Sequence, residues 1–148
     1  MKKHLELRVE IELVHYPGQI VLVFVLHRDA LSAWTLGLCL LGQGLINELV
    51  VTTVQDPRMT VSFLLNSKTV KDSISIRDRN ARINLTANSL GYVGYFFLKY
   101  FRDGVADVDH IHLEPVNAKN ETIDLTFKVP DSKPPMSAEE LRTRLRSK

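Results

Sequence analysis

Residues 5–13 read LELRVEIEL, and they decide the fold class because apolar and charged side chains alternate along them without exception. Alternation with a period of two is the pattern of a β-strand that has one buried face and one solvated face. The charges at every second position also interrupt the apolar run that a secretory signal needs. The segment therefore predicts a strand at the start of a folded domain, with no leader peptide.

The same reasoning, extended along the chain, predicts eight strands and two helices. The first helix begins at Asp29, and the second is capped by Asn88 or Ser89 and ends at Gly104. The strands are predicted at residues 5–13, 20–26, 48–54, 60–65, 73–77, 81–86, 108–114 and 122–129. This order predicts an α+β protein with two layers, about eight mostly antiparallel strands and both helices on one face. The core is expected to contain Trp34, Leu38, Leu41, Phe97 and Phe101.

The order of elements, strand-strand-helix-strand-strand, occurs twice, and this indicates an internal repeat. At an offset of 59 residues Phe24 falls on Ile83 and Leu38 falls on Phe97, although few residues are identical. We expect one domain over residues 1–130, with pseudo-repeats at 5–66 and 70–129. Residues 131–148 form a polar, proline-containing basic tail with a short helix near its end. Chance similarity of two α+β halves is the alternative explanation.

The repeat also assigns the strand residues to faces, and the two halves differ on the outward face. The second half carries polar residues there, such as Arg82, Asn84 and His110, whereas the matching positions of the first half are apolar. The apolar set consists of Val21, Val23, Val25, Val51 and Leu64. We expect these five residues to form a partner interface, most simply in a homodimer. The alternative is that the chain covers the apolar set internally.

Composition excludes several classes of protein. The 148 residues are 45% apolar and 24% charged, as in soluble globular proteins, and a net charge of +2 is too small for a dedicated nucleic-acid binder. The uncharged segment 30–47 contains polar residues and three glycines, so it predicts a buried helix rather than a membrane span. The single cysteine, Cys39, excludes a disulfide framework and favours a cytoplasmic location.

Two groups of residues suggest chemistry beyond packing. His110, His112 and Glu114 alternate on one strand face, about 6.5–7 Å apart, and two histidines with a carboxylate are metal ligands. Tyr92, Tyr95 and Tyr100 lie on the aromatic second helix and would wall a small-molecule cavity. The alternative for the histidines and Glu114 is a solvated strand face, and the alternative for the tyrosines is a filled core. Neither requires a ligand.

No nucleophile motif or phosphate-binding loop is present, so the sequence indicates no cofactor and no catalytic residues. The favoured interpretation is a non-catalytic protein-interaction module in the cytoplasm, such as a small inhibitor or immunity-type protein. Its partner would be a second copy of itself or another protein, and neither nucleic acid nor a membrane is expected. The alternatives are a small-molecule-binding protein that uses the second helix and a metal-dependent enzyme centred on His110 and His112.

Overall fold

The computed structural model describes residues 4–53, 58–66, 68, 70–106, 108–130 and 138–146. The strands are β1 (His4–Tyr16), β2 (Gln19–Val25), β3 (Glu48–Thr53), β4 (Thr60–Leu65), β5 (Ser73–Arg77), β6 (Asn80–Leu85), β7 (His110–Leu113) and β8 (Asp124–Lys128). The helices are α1 (Arg28–Gly42), α2 (Ala87–Asp103) and α3 (Ala138–Arg146). Eight strands with two long helices confirm the predicted α+β class. Residues 131–137, the first part of the predicted tail, lie outside the described residues.

The eight strands form one sheet in the order β5-β6-β4-β3-β1-β2-β8-β7. Four neighbouring pairs are antiparallel, and three pairs, β1·β3, β2·β8 and β4·β6, are parallel. The sheet is therefore mixed, and the prediction of a largely antiparallel sheet is not confirmed. Alternating hydrophobicity tells which face of a strand is buried, but it is the same for either strand direction.

The sheet is strongly curled. Phe24 on β2 and Phe63 on β4 have ring centroids only 5.5 Å apart, although β1 and β3 lie between their strands. The two ends of the sheet also approach each other, because the Ile74 amide donates to the Val116 carbonyl at 2.9 Å. This contact belongs to a parallel bridge between Ser73 and Val116, the one bridge that joins the two ends among the described residues.

Both helices pack on the same, concave face of the sheet and run antiparallel to each other. Trp34 of α1 lies against Phe97 of α2, at 5.7 Å between ring centroids, while Gly42 at the end of α1 faces Leu90 near the start of α2. Trp34, Leu38, Leu41 and Phe97 are buried as predicted. Phe101 was wrongly assigned to the core: it is 57% exposed, on the side of α2 away from the sheet.

The start of α2 is held by two side chains. Thr86, and not Asn88 or Ser89, is the N-cap: its side chain accepts the Ser89 amide. The Asp72 carboxylate accepts the Thr86 amide at 2.8 Å and the Ser89 hydroxyl. Asp72 also accepts the Val116 amide through its backbone carbonyl, so it joins α2 to the point where the sheet ends meet. At α1 the N-cap position is His27 rather than Asp29, and its side chain makes no capping bond.

The face assignment of β3 is corrected by the structure. Val51 was expected to face outward, but both Val51 and Leu49 are fully buried against the helices. The strand pairings explain the error: Leu49 lies opposite Phe63, and the corresponding pair in the second half is Ile111 with Phe127. Leu49 thus matches Ile111 and not Val108, a difference of three residues. An odd shift in alignment moves every side chain of a strand to the other face.

Candidate functional site

The five residues of the predicted sheet interface do not come together. Val51 is in the core, Val25 is only 7% exposed, and Val21, Val23 and Leu64 are half-buried. Val21 lies opposite Val14 of β1. Leu64 follows Phe63, which is in register with Leu49 of β3 and, through Leu49, with Leu5 of β1. Leu5 and Val14 are nine residues apart along β1, which corresponds to about 30 Å. Val21 and Leu64 therefore cannot belong to one small patch.

Charged and polar residues also divide the outward face of the sheet. Val23 is flanked by Glu12 on β1 and Thr126 on β8, and Val25 by Glu10 and Lys128. An apolar patch that indicates a partner must be contiguous. The outward face of the sheet does not meet that requirement around Val23 and Val25.

The exposed apolar surface lies instead on the helices. Twelve large hydrophobic residues are exposed in the described part of the chain, and five of them belong to α1 and α2. They are Leu36, Tyr92, Tyr95, Leu98 and Phe101. Together we call them the helical face. The sequence contained a signal for it, because apolar and aromatic residues of α2 occupy more of the helix circumference than one buried stripe requires.

A groove of about 350 Å³ runs along the helical face between α1 and α2. Its α2 side contains Gly91 and Gly94, where an added Cβ atom would have no neighbouring atom within 4 Å. Tyr95 and Leu98 border it on the same helix, and Cys39 of α1 and Gln43, the residue after α1, border it on the other side. The groove is therefore an apolar depression with projecting apolar side chains beside it.

The three tyrosines singled out from the sequence meet at a second, smaller depression. Tyr92, Tyr95 and Tyr100 line a hollow of about 240 Å³ that is completed by Val108 and Ile111 near β7. Tyr100 is buried, whereas Tyr92 and Tyr95 are mostly exposed. Pockets for drug-sized ligands usually have volumes of about 300–1,000 Å³, so this hollow is small for such a ligand.

The histidines of β7 form a polar cluster on the outward face of the sheet. The rings of His110 and His112 are in edge-to-face contact, with centroids 4.8 Å apart. His110 Nδ1 lies 2.6 Å from Asp109 Oδ1, and His112 Nδ1 lies 3.1 Å from Asp124 Oδ1. The hydrogen bond with His110 is the main cause that lowers the pKa of the Asp109 carboxyl below its ordinary value.

This cluster does not form a metal centre of three protein ligands. Within the described residues, no three His, Cys, Asp or Glu side chains are grouped in a way that could hold a metal ion. His110 and His112 are brought together as the sequence suggested, but Glu114 does not complete a group with them. The alternative of a metal-dependent enzyme stays a prediction without structural support.

Alanine at both His110 and His112 is expected to change the free energy of unfolding by less than about 1 kcal/mol, because the side chains are 45% and 47% exposed. The pKa of Asp109 should rise toward its ordinary value in this variant, so ionised Asp109 would lose its stabilising effect above the carboxyl pKa of the unfolded chain. Urea unfolding and an NMR pH titration measure the two effects, with His15→Ala as the control. A zinc-dependent rise in melting temperature that only the native protein shows would contradict this expectation.

No helix in the described part of the chain is both long and apolar enough to cross a membrane. No protein-family model matches the chain, and no curated protein is significantly similar to it.

Proposed function

We propose that this chain is a non-catalytic protein-interaction module, and that its helical face binds a second copy of the chain. The observation that carries the proposal is the apolar groove between α1 and α2, with exposed Leu98 and Tyr95 at its border. We place the module in the cytoplasm, because the single cysteine, Cys39, is a free and half-buried thiol.

A second copy is favoured because the helical face carries both a depression and a projection. In a two-fold dimer the same patch is used by both copies, so each must supply the shape that fits the other. Gly91 and Gly94 leave room for a side chain, and Leu98 and Tyr95 project beside them on the same helix. A two-fold axis near Gly94 would place the projecting residues of each copy in the groove of its partner.

The charges on this surface also favour association with an apolar partner. Arg102 is exposed near the end of α2, but it is paired with its neighbour Asp103, with 2.7 Å between Nε and Oδ1. This local pair lowers the pKa of Asp103 and raises that of Arg102. Arg102 is thus already compensated within its own helix, and the groove itself is lined by uncharged residues.

The free energy cost of association can be offset only if the whole helical face, and not one residue, is buried in the dimer. Burying a large apolar side chain completely contributes about 1.5–3 kcal/mol, and association costs about 4–15 kcal/mol. Two half-exposed side chains cannot offset that cost. The proposed dimer therefore requires that the five residues of the helical face are buried in the contact on both copies.

Leu98→Glu is expected to convert the dimer into a folded monomer, because a carboxylate would be placed at the centre of the apolar contact. Leu98 is 48% exposed in the isolated chain, so the substitution itself should not unfold it. Light scattering coupled to size exclusion measures the mass, and far-UV circular dichroism checks the fold. Leu13→Glu is the matched control, because Leu13 is 45% exposed on β1, away from the helices.

Two results would overturn the self-association proposal. One is a native protein that is monomeric at every concentration up to about 100 times that used for routine chromatography. The other is a dimer that Leu98→Glu leaves intact while Leu13→Glu disrupts it, since the contact would then involve β1.

We also propose that the two halves of the chain arose by duplication of a β-β-α-β-β unit. The support comes from the strand registers, which repeat: Ile11–Phe24 and Leu13–Leu22 in β1·β2 correspond to Ile74–Ile83 and Ile76–Ala81 in β5·β6. The buried positions of the helices also agree at an offset of 59 residues. They are Leu31, Trp34, Leu38 and Leu41 in α1, and Leu90, Val93, Phe97 and Tyr100 in α2.

A further inference from the structure

The corresponding strands β1 and β5 differ in length, and the difference leaves one strand edge uncovered. β1 has 13 residues: its first half, His4–Val9, pairs with β3, and its second half pairs with β2. β5 has five residues, and these pair with β6 as the second half of β1 pairs with β2. In the described part of the chain, β5 has no counterpart of the first half of β1.

β7 is the strand that this missing half would have covered. Its counterpart β3 has a neighbour on both sides, β1 and β4. β7 pairs with β8 alone among the described residues, and the bridge between Ser73 and Val116 lies beyond its end. Since no described residue pairs with the other edge of β7, the backbone amides and carbonyls there can pair with another extended chain.

A hollow lined mainly by apolar residues, with Lys99 also in its lining, lies beside this edge, where the first half of the chain has a packed side chain. In the first half, an added Cβ at Gly37 of α1 would lie 3.2 Å from Leu5 Cδ2 of β1, so Leu5 packs closely against the helix. The position in α2 that corresponds to Gly37 is Phe96. Phe96 and Tyr92 of α2, with Val108 and Ile111 on the side of β7, line the hollow of about 240 Å³.

We propose that the free edge of β7 and this hollow form a binding site for an extended peptide segment of another protein. The peptide would add a strand parallel to β7, as the first half of β1 is parallel to β3. Backbone hydrogen bonds to β7 hold it, and apolar side chains at alternate positions face the core side, one of them in the hollow. The hollow shares Tyr95 with the groove between α1 and α2, but no residue of β7 lines that groove, so strand addition at β7 does not require dimerisation.

The chain itself supplies a probe, HLELRVEI (residues 4–11), because residues 4–9 of this segment pair with β3 in the corresponding position of the first half. A fluorescein-labelled peptide of this sequence should bind the full-length protein saturably in a fluorescence anisotropy titration. The control peptide LLVIEERH has the same composition without the alternation, and it should bind at least tenfold more weakly.

Two changes test the geometry of the complex. Methylation of a peptide amide removes one backbone donor, and successive amides of a strand point to opposite sides. Peptides methylated at the amide of Leu7 or of Arg8 should therefore differ, with one binding about tenfold more weakly and the other almost unchanged. In the protein, Val108→Lys places a charge at the hollow and should weaken binding at least tenfold, whereas Leu13→Lys should not.

The titration is repeated with the Leu98→Glu variant, in which binding should stay within about twofold of the native protein. Loss of binding there would assign the peptide to the helical face and overturn the β7 site. The site is equally overturned if the native and control peptides bind alike, or if neither methylation changes affinity. A further result would assign the edge of β7 to self-association instead of to another protein. In that result the Leu98→Glu variant is still a dimer, and the peptide dissociates this dimer into monomers.

Discussion

Replacing Val51 by lysine is expected to leave no folded protein, whereas the same change at the neighbouring residue Val50 should be tolerated. Val51 has no exposed surface and lies between Leu7 and Val61 in the sheet. An ammonium group there would be buried without a partner, and such a charge costs several kcal/mol. The total stability of a domain is only about 5–15 kcal/mol, so most or all of it would be lost.

Val50 is the matched control because it points to the other face of β3. It is half-buried and lies between Glu6 and Ser62, so a lysine there can pair with a carboxylate across the strands. Such a cross-strand pair contributes about 0.2–1 kcal/mol. Soluble yield and urea unfolding followed by circular dichroism distinguish the two variants.

Leu113→Lys extends the comparison to the second half of the chain. Leu113 is opposite Leu125 in β7·β8, as Val51 is opposite Val61 in β3·β4, and it is also buried. If the duplication proposal is right, Leu113→Lys should be as damaging as Val51→Lys. A folded Val51→Lys protein together with an unfolded Val50→Lys protein would show that the faces of β3 are reversed.

The sequence was sufficient to predict what depends on local periodicity. The strict alternation of residues 5–13 predicted β1, and the spacing of Leu31, Trp34, Leu38 and Leu41 predicted the buried stripe of α1. Those features are set by the repeat of strand and helix geometry, which is the same wherever the segment ends up in the fold.

Strand partners could not be predicted, because pairing depends on distant parts of the chain. The parallel pairs β2·β8 and β4·β6 join residues about 100 and 20 positions apart, and no local pattern encodes either pair. The prediction that Val51 faces outward was wrong for a related reason. It was transferred from the second half, where the segment from the start of the helix to the start of the next strand is three residues longer, and the odd difference reversed the face.

The candidate site was misplaced by the same transfer. The apolar residues on β2 were taken as one patch with Val51 and Leu64, although Val51 is in the core and Leu64 lies far from Val21 along the strands. Among the aromatic residues of α2, Phe101 was wrongly assigned to the core, and a filled core was one of two explanations for the tyrosines. Gly91 and Gly94 could have indicated otherwise, since they leave open space beside an outward-facing stripe.

Trp34→Ala is expected to lower the free energy of unfolding by about 3–5 kcal/mol, the range for large-to-small changes of buried aromatic residues. Trp34 is fully buried at the centre of the core. Its ring contacts Phe63 and Phe127 from the sheet and Phe97 from α2, with centroids 5.5–5.7 Å apart. Removing it leaves a cavity between the two layers that no single neighbour can fill.

Trp34→Phe should lower the free energy of unfolding clearly less than Trp34→Ala does, and the reason is specific to this site. The indole Nε1 is buried and has no hydrogen-bond partner among the residues that the structure describes, and an unsatisfied buried donor costs about 1–3 kcal/mol. Phenylalanine removes the donor and keeps most of the ring contacts, so the relief partly offsets the lost volume. Urea unfolding followed by far-UV circular dichroism measures both variants, and Tyr16→Ala, at a residue that is 57% exposed, is the control.

The native protein offers an independent check, because Trp34 is the chain's single tryptophan. Its fluorescence should be blue-shifted in the folded state and move to longer wavelength in the same urea transition that circular dichroism reports. Equal costs for Trp34→Phe and Trp34→Ala would mean that the N–H group is stabilised where it lies. The near-perpendicular rings of Phe63 and Phe97 are the acceptors available for such a contact, an N–H···π interaction.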